Sequence, residues 1–268
     1  MLYILCFLLL PAILYILANR CRKGHPGLKN LQGWKYAHRG LHGQGRPENS
    51  MAAFRAALEG GYGIELDIHL LKDGNLAVIH DSLLKRTTGR EGRIEDLATE
   101  DLPDYHLEGT EETIPTFRQL LDLYDGKAPL IVELKPANDN HAALTEAACT
   151  MLESYPGVYC MESFDPRCIY WLKENRPQII RGQLSENFLK SDQKMSWPLR
   201  FCLTHTLGNF LTQPDFLAYK FADRKTISVW VCRNFWKPQL VTWTLKTREE
   251  FDTAAKEGWL PIFENFRP

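Results

Sequence analysis

Two acidic side chains alternate with aliphatic ones in the segment Gly-Ile-Glu-Leu-Asp-Ile. Glu65 and Asp67 are two residues apart, so in an extended strand both carboxylates project from one face. Glu133 and Lys135 repeat this spacing in Leu-Ile-Val-Glu-Leu-Lys. Like charges on one buried face repel, and a divalent metal ion with oxygen ligands relieves that repulsion. Solvated positions on an exposed edge are the alternative, but the aliphatic flanks favour buried strands and a metal site.

Two histidines each follow a short apolar run, His38 in Tyr-Ala-His-Arg-Gly and His80 in Val-Ile-His-Asp. This end of a strand is where α/β barrels keep their catalytic side chains. Imidazole titrates near neutral pH, so the two rings could serve as acid and base across one scissile bond. A single histidine here is more often structural, whereas two histidines beside Arg39, whose guanidinium can bind a phosphate, favour catalysis.

Short apolar runs that alternate with amphipathic stretches must position these side chains. Strands are predicted at residues 34–37, 63–68, 76–79, 130–133, 158–161, 178–180, 216–219, 240–244 and 261–263. Helices are predicted at residues 50–59, 116–124, 142–152, 166–174 and 247–257. The alternation predicts a parallel α/β sheet, as in a TIM (β/α)8 barrel.

Two segments depart from regular alternation. Nine predicted strands are one more than a closed barrel needs, and residues 71–75, which join the second strand to the third, are too few for a helical crossover. Residues 82–113 are rich in Gly, Thr, Asp and Glu and have little periodicity. We therefore expect an irregular strand pair followed by an insertion that forms a lid or a small subdomain.

The composition sets the class of protein. Beyond the N-terminal segment about 245 residues remain, an ordinary length for one α/β barrel. The chain is 44% hydrophobic and 24% charged, which excludes disordered and fibrous classes. Its net charge of -1 gives no reason to expect nucleic-acid binding. The 7 cysteines form no Cys-x-x-Cys pair, which favours free thiols in a reducing compartment.

The first 18 residues contain no charged side chain. As a helix they would reach about 27 Å, near the lower limit for spanning a bilayer. The sequence therefore predicts a transmembrane anchor over residues 1–19, a juxtamembrane linker over 20–33 and a globular body over 34–268. A cleaved signal peptide is the alternative, disfavoured because no basic residue precedes the segment and no small-x-small site follows it.

Basic residues on the carboxyl side of this segment bear on its orientation. Arg20, Arg22, Lys23 and Lys29 follow the apolar run, and no basic side chain precedes it. The positive-inside rule then predicts a single-pass membrane protein whose body lies in the cytoplasm.

A series of short motifs, in order and spacing, resembles the glycerophosphodiester phosphodiesterase family. The motifs are His-Arg-Gly at 38–40, Pro-Glu-Asn-Ser at 47–50, Glu-Leu-Asp at 65–67, Lys-Asp-Gly at 72–74, Val-Ile-His-Asp at 78–81, Arg-Thr-Thr-Gly at 86–89, Ile-Pro-Thr-Phe at 114–117, Val-Glu-Leu-Lys at 132–135, Glu-Ser-Phe-Asp at 162–165 and Trp-Thr at 243–244. The resemblance runs from about residue 34 to the end. It implies a TIM barrel with a small insertion, at about 82–113 here.

The resemblance also implies an activity. Members of the family hydrolyse glycerophosphodiesters to sn-glycerol 3-phosphate and an alcohol in glycerophospholipid metabolism, with a divalent metal ion, often calcium or magnesium. Matched by motif, Glu65, Asp67 and Glu133 would ligate the metal ion. His38 and His80 would exchange protons with the nucleophile and the leaving group. One mechanism proposed for the family has the glycerol 2-hydroxyl attack phosphorus to give a cyclic phosphate, which water then opens.

Four further side chains come from the same motifs. Arg39 and Lys135 would hold phosphate oxygens. Glu48, in Pro-Glu-Asn, would be a further metal ligand or an orienting residue, and Trp243 is a further candidate for the site.

The chain departs from the family pattern near its C-terminal end. After the last strand the family commonly has Thr-Asp-x-Pro, whereas this chain has Glu264 and Asn265. Residues 214–221 and 232–238 also differ from a typical member. The substrate range therefore has alternatives: lysophospholipids cleaved in lysophospholipase D fashion beside a bilayer, or no turnover at all in a barrel that only binds phosphodiesters. A purely structural membrane protein would give no reason to line strands with like charges.

Overall fold

The computed structural model describes residues 2–191 and 194–268, and side chains from residue 9 onward. In this part of the chain the strands are β1 Tyr36–His38, β2 Gly63–Leu70, β3 Leu76–Val78, β4 Leu130–Leu134, β5 Tyr159–Ser163, β6 Arg181–Ser185, β7 Phe216–Lys220, β8 Gln239–Leu245 and β9 Leu260–Phe263. The helices are α1 Leu2–Ala18, α2 Met51–Glu59, α3 Lys85–Thr88, α4 Phe117–Tyr124, α5 His141–Leu152, α6 Pro166–Asn175, α7 Trp197–Thr204, α8 Asn209–Thr212, α9 Ile227–Val231 and α10 Arg248–Lys256.

Eight of these described strands form a closed parallel barrel. The order runs β1-β9-β8-β7-β6-β5-β4-β2, and β1 pairs with β2 to close the sheet. The ninth strand, β3, lies antiparallel to β2 with Val78 opposite Ile68. The predicted TIM-barrel fold is thus confirmed, and the extra strand lies in the pair whose connection is too short for a crossover.

Alternation along each strand divides the barrel into an apolar and a charged layer. Tyr36 and Ile131 pack in one apolar cluster with side chains of the neighbouring strands. Two residues further along the same strands are His38 and Glu133. Because positions i and i+2 of a strand share a face, the functional side chains lie on the inner face near the carboxyl ends of the strands.

Side-chain caps set where several helices begin. Ser50 accepts a hydrogen bond from the Ala53 amide at the start of α2, and Thr247 accepts one from the Glu250 amide at the start of α10. Thr116 forms a capping box with Gln119 before α4. The capping residue itself is not helical, so each of these helices begins one residue after its predicted start.

The segment predicted as an insertion has its own small core. Leu84, Ile94, Leu102 and Leu107 are buried together with residues of the β2–β3 pair. Short helical turns connect them, including α3. This satellite cluster fixes the segment that follows His80 against the rim of the barrel.

The sequence prediction is wrong for the fifth barrel strand. Residues 178–180 precede the strand, which is β6. The polarity of this strand concealed it in the sequence, because Arg181 and Gln183 are buried and donate hydrogen bonds to backbone oxygens. Arg181 donates to the carbonyls of Thr212 (3.1 Å) and Gln213 (2.8 Å), and Gln183 donates to Ser163 O (3.0 Å).

The predicted membrane anchor is also contradicted. Helix α1 has 17 residues, which at about 1.5 Å per residue falls short of a bilayer core of roughly 30 Å. Within residues 2–191 and 194–268 no helix is both long and apolar enough to span a membrane. The single-pass membrane location, with its anchor over 1–19, is therefore corrected; Met1 of that segment lies outside the described residues.

The carboxyl half of α1 instead contacts the barrel. Tyr15 Oη lies 2.7 Å from His205 Nδ1, and Trp236 Nε1 donates to Ile16 O at 2.8 Å. Just beyond the helix, Asn19 is fully buried and accepts a hydrogen bond from Thr206 Oγ1 at 2.7 Å. The Arg22 guanidinium then pairs with both oxygens of buried Asp215. Residues 15–22 are thus held against the barrel by polar contacts.

Candidate active site

Strand register brings the predicted acidic side chains together. Glu65 is opposite His38 on β1, and Asp67 is opposite Glu133 on β4. The oxygens of Glu65, Asp67 and Glu133 offer ligand atoms within 4.8 Å of one another, and all three side chains are buried. Side chains taken from two separate sequence motifs therefore form one cluster at the mouth of the barrel.

A fourth carboxylate joins this cluster. Glu162, on β5, is opposite Glu133 and is 1% exposed, and its Oε2 has no hydrogen-bond partner among the described residues. Burial, together with the charges of Glu133 and Asp67, raises the pKa of Glu162 well above its usual value. Sequence reasoning placed Glu162 in a family motif but did not assign it to the site. Its position two residues beyond buried Cys160 was the available signal.

The acidic cluster holds more negative than positive charge. Burial, and then repulsion from Asp67 and Glu133, raises the pKa of Glu65 well above normal. Burial, opposed by Lys135, raises the pKa of Glu133 to about 7. Burial also opposes ionisation of Asp67, but Lys135 and other nearby cations outweigh it and hold the pKa of Asp67 well below normal. Crowded carboxylates of this kind are stabilised by added positive charge.

Lys135 provides one such positive charge. Its Nζ lies 2.7 Å from Glu133 Oε1 and 3.1 Å from Asp67 Oδ1. Burial lowers the pKa of a lysine, yet Asp67 and Glu133 together raise the pKa of Lys135 above its usual value. This ammonium and the Arg39 guanidinium, whose Nε lies 3.5 Å from Asp67 Oδ2, do not balance the four buried carboxylates, of which Glu162 retains an unpartnered oxygen. The all-oxygen donor set and this charge deficit fit a hard divalent ion such as Ca²⁺ or Mg²⁺.

His38 is held by a residue from the far end of the chain. Its Nδ1–H donates to Glu264 Oε2 at 2.8 Å, and its Nε2 lies 3.8 Å from Glu65 Oε2. Burial lowers the pKa of His38, although the hydrogen bond to Glu264 opposes that shift. The same hydrogen bond lowers the pKa of Glu264 to about 2. Glu264, noted in the sequence only as a departure from the family pattern, is thus the carboxylate that orients His38.

His80 is oriented in a similar way. Its Nδ1–H donates to Asp81 Oδ1 at 2.5 Å, so its Nε2 is the nitrogen left for substrate. Buried His69 contacts the His80 carbonyl oxygen through Nε2 at 3.2 Å and Glu95 Oε1 through Nδ1 at 2.8 Å. The contact of the His80 ring with Asp81 and the contact of its carbonyl oxygen with His69 therefore hold the segment after β3 in place. Asp81 and His69 were not among the predicted site residues.

Arg39, which follows β1, and Arg86, which follows β3, meet at the Glu48 carboxylate. Arg39 donates to Glu48 Oε1 at 2.9 Å, and Arg86 donates to the same oxygen at 2.6 Å. Arg86 also donates to Asp81. Glu48 therefore lies between two guanidinium groups and outside the acidic cluster, which favours an orienting role over a role as metal ligand.

Trp243 lines the same space as the two histidines. Its ring packs edge-on against Phe164 with centroids 5.5 Å apart. Trp243 lines a small cavity of about 40 Å³ that is also lined by His38, Arg39, His80 and Glu162. Every predicted site residue therefore lies at one end of the barrel, with the two histidines and Arg39 facing one space.

A larger cleft opens beside His80 and Lys135. Its volume is about 1170 Å³. Much of its lining is apolar and comes from Leu83, Phe188, Met195, Leu199 and Leu203. Leu199 and Leu203 belong to α7, a helix that the sequence analysis did not predict.

The family of the chain is given by comparison with known proteins. The model of the glycerophosphoryl diester phosphodiesterase family matches residues 38–266. A glycerophosphodiester phosphodiesterase of Caldanaerobacter subterraneus is 37% identical over 194 residues, which cover 69% of this chain and 70% of that protein. A glycerophosphodiester phosphodiesterase of Bacillus altitudinis is 40% identical over 110 residues, which cover 38% of this chain and 44% of that protein.

Solved structures show the same fold. A phosphodiesterase of Oleispira antarctica, solved with the product sn-glycerol 3-phosphate, superimposes with a TM-score of 0.71 at 21% identity and covers 89% of this chain and 95% of its own. A glycerophosphoryl diester phosphodiesterase of Silicibacter pomeroyi gives 0.72 at 21% identity, over 91% and 95% of the two chains. The chain belongs to the glycerophosphoryl diester phosphodiesterase family, and the enzyme class predicted from its motifs is confirmed at that level.

Proposed function

We propose that the chain hydrolyses glycerophosphodiesters to sn-glycerol 3-phosphate and an alcohol with the help of Ca²⁺ or Mg²⁺. The observation that carries this proposal is the meeting of the acidic cluster, two cationic side chains and two histidines at one end of the barrel. The product bound to the Oleispira antarctica enzyme is the product expected here. Family membership supports the reaction, and the site supports its chemistry.

The cationic side chains would bind the phosphate. Arg39 lines the cavity that the histidines face, and Lys135 lines the adjoining cleft. Glu65, Asp67 and Glu133 would hold the divalent ion, which when bound would neutralise charge on the phosphoryl oxygens. Glu48 keeps the Arg39 guanidinium from rotating away, since it also pairs with Arg86.

The two histidines would divide the proton transfers. Glu264 and Asp81 each accept from an Nδ1–H and so leave Nε2 of His38 and of His80 for the substrate. In the neutral His38 ring Nε2 carries the lone pair. His80 would carry a second proton on Nε2, and the Asp81 carboxylate would balance the charge of that imidazolium. Burial lowers the pKa of His38 and so favours its neutral form. We assign His38 as the proton acceptor from the attacking hydroxyl and His80, the more exposed ring, as the proton donor to the leaving alcohol.

Product analysis with a chelator tests the proposal. The full chain is incubated with glycerophosphocholine, and sn-glycerol 3-phosphate and choline are measured with and without EDTA. We expect equal amounts of both products, loss of turnover in EDTA, and recovery when Ca²⁺ or Mg²⁺ is restored in excess. Full turnover in EDTA would contradict the metal role. Binding of the diester without turnover under any ion would support a barrel that only binds phosphodiesters.

The apolar cleft favours a second substrate class, lysophospholipids. This cleft is lined by His80 and Lys135 and also by Leu199, Leu203 and Met195, which would contact an acyl chain. Burial of each methylene group contributes roughly 0.8 kcal/mol, so a few buried groups are enough to give a preference. Such a substrate would be cleaved on the head-group side of its phosphate, as in lysophospholipase D chemistry.

A charge placed on the cleft wall separates the two substrate classes. Leu199→Asp is expected to lower kcat/KM for a short-chain lysophosphatidylcholine, below its micelle concentration, by about tenfold or more. Activity on glycerophosphocholine should change less than about twofold. Leu211→Asp, on α8 and lining a different cavity, is the matched control, because both leucines are about half exposed. Equal losses on both substrates would contradict an acyl-binding role for the cleft.

A further inference from the structure

A second group of metal-binding side chains lies beside the acidic cluster. His42 follows His38 by four residues in the connection between β1 and α2, and Glu264 follows β9, the strand that pairs with β1. One ring nitrogen from each histidine and one Glu264 oxygen all lie within 4.8 Å of one another. These side chains are partly buried, so the site is screened but open to an ion from solvent.

His42 is the member of this group without another evident role. Its Nε2 is buried and has no hydrogen-bond partner among the described residues. A buried ring nitrogen without a partner costs desolvation free energy unless a ligand engages it. The Glu264 carboxylate is held from its other side, because Asn265 Nδ2 donates to Oε1 at 2.9 Å and Lys246 Nζ lies 3.7 Å from the same oxygen. Its Oε2 is therefore the oxygen directed at the histidines.

We propose that His38, His42 and Glu264 form a separate binding site for Zn²⁺ or a similar transition-metal ion. Two imidazoles and one carboxylate, with a water in the fourth position, are a donor set that zinc favours. The acidic cluster of Glu65, Asp67 and Glu133 has only oxygen donors and suits Ca²⁺ or Mg²⁺. Bonds of about 2.0–2.2 Å place the ligand atoms of a tetrahedral site about 3.4 Å apart. His38 Nδ1 and Glu264 Oε2, which are 2.8 Å apart, would therefore separate slightly to admit the ion.

Zinc at this site would inhibit the enzyme. The ion would take the place of the proton that His38 Nδ1 shares with Glu264. The neutral ring would then carry its proton on Nε2, N–Zn and O–Zn bonds form, and no electron is transferred. A metal-bound His38 could no longer accept and release protons through the ring in each turnover. Binding follows from the three side chains alone, whereas inhibition rests on the proposed role of His38.

Zinc binding is best measured where competing sites are filled or removed. Among the cysteines whose side chains the structure describes, Cys202 is the exposed one, so the parent protein carries Cys202→Ser. Excess Mg²⁺ occupies the carboxylate cluster. Equilibrium dialysis should then find one high-affinity zinc per chain. His42→Ala should weaken zinc binding about tenfold or more, and His106→Ala, at an exposed histidine in the insertion, should leave it unchanged.

Two further readouts decide the proposal. Co²⁺ should give a strong visible absorption band in the parent that is lost in His42→Ala, because four-coordinate Co²⁺ absorbs far more strongly than the six-coordinate ion. The zinc concentration for half inhibition should rise about tenfold or more in His42→Ala, whose activity without zinc stays within about twofold of the parent. Equal zinc affinity in parent and His42→Ala would overturn the proposal. Dialysis and Co²⁺ absorption need no substrate, so their outcome is independent of the proposed reaction.

Discussion

Glu65→Gln is expected to reduce hydrolysis of glycerophosphocholine by at least about 10³-fold and, in the presence of a chelator, to make the folded protein more stable. Both effects come from the same crowding of charge. Glu65 shares a buried site with Asp67 and Glu133, and burial and repulsion raise its pKa well above normal. The substitution removes a metal ligand, which lowers activity. It also removes the repulsion between Glu65 and the neighbouring carboxylates, which no metal ion offsets when EDTA is present.

The stability gain should depend on pH in a defined direction. A carboxylate whose folded pKa is raised binds its proton more tightly in the folded state, so folding loses stability as pH rises from the unfolded pKa through the folded one. For Glu65 this loss begins near the ordinary glutamate pKa of 4.5. Chelated wild type and Glu65→Gln should therefore have similar free energies of unfolding near pH 4.5. The variant should be more stable by about 1 kcal/mol or more at pH 7.5.

Urea unfolding at pH 4.5, 6 and 7.5, with EDTA and again with excess Ca²⁺ or Mg²⁺, measures this effect. The ion should stabilise wild type and have little effect on Glu65→Gln, which reverses their order at pH 7.5. Glu146→Gln, on the exposed face of α5, is the matched control and should behave as wild type. A chelated Glu65→Gln protein that is less stable than wild type at pH 7.5 would contradict the electrostatic account.

The acidic strands and the histidines were predictable because their signal is local. In β2 the aliphatic residues Ile64, Leu66 and Ile68 are all fully buried, so the alternation with Glu65 and Asp67 could be recognised without knowing the neighbouring strands. The barrel followed from repeated alternation of strand and helix. The polar strand β6 could not be recognised locally, since its buried polar side chains donate hydrogen bonds to backbone oxygens some 20 to 32 positions away.

The sequence also did not predict the site residues that only the pairing of the barrel strands brings together. Glu264 is 226 positions from His38 in sequence, and only the pairing of β1 with β9 brings the two together. Glu162 joins the acidic cluster through its register with Glu133. Such contacts arise from topology, which is fixed by the whole set of strands. The sequence motifs therefore predicted the acidic side chains and the histidines of the site but not Glu264, the carboxylate that binds His38.

Glu264→Gln is expected to lower kcat by about 10²- to 10³-fold with little change in KM, although it removes no group that touches substrate. The carboxylate accepts from His38 Nδ1–H and so keeps the lone pair on Nε2. A glutamine amide can turn its NH₂ toward Nδ1 and stabilise the tautomer that carries the proton on Nε2. That ring cannot accept a proton from the attacking hydroxyl, so the loss should approach that of His38→Ala.

Glu264→Ala distinguishes a tautomer effect from simple loss of packing. Without an amide to impose the wrong tautomer, it should retain more activity than Glu264→Gln. The hydrogen bond to Glu264 raises the pKa of His38 against the lowering by burial, so its removal lowers that pKa further. The acid limb of the kcat–pH profile should therefore move to lower pH in Glu264→Ala. Glu249→Gln, exposed on α10, is the control. A Glu264→Gln enzyme within about threefold of wild type would mean that the carboxylate does not orient the catalytic ring.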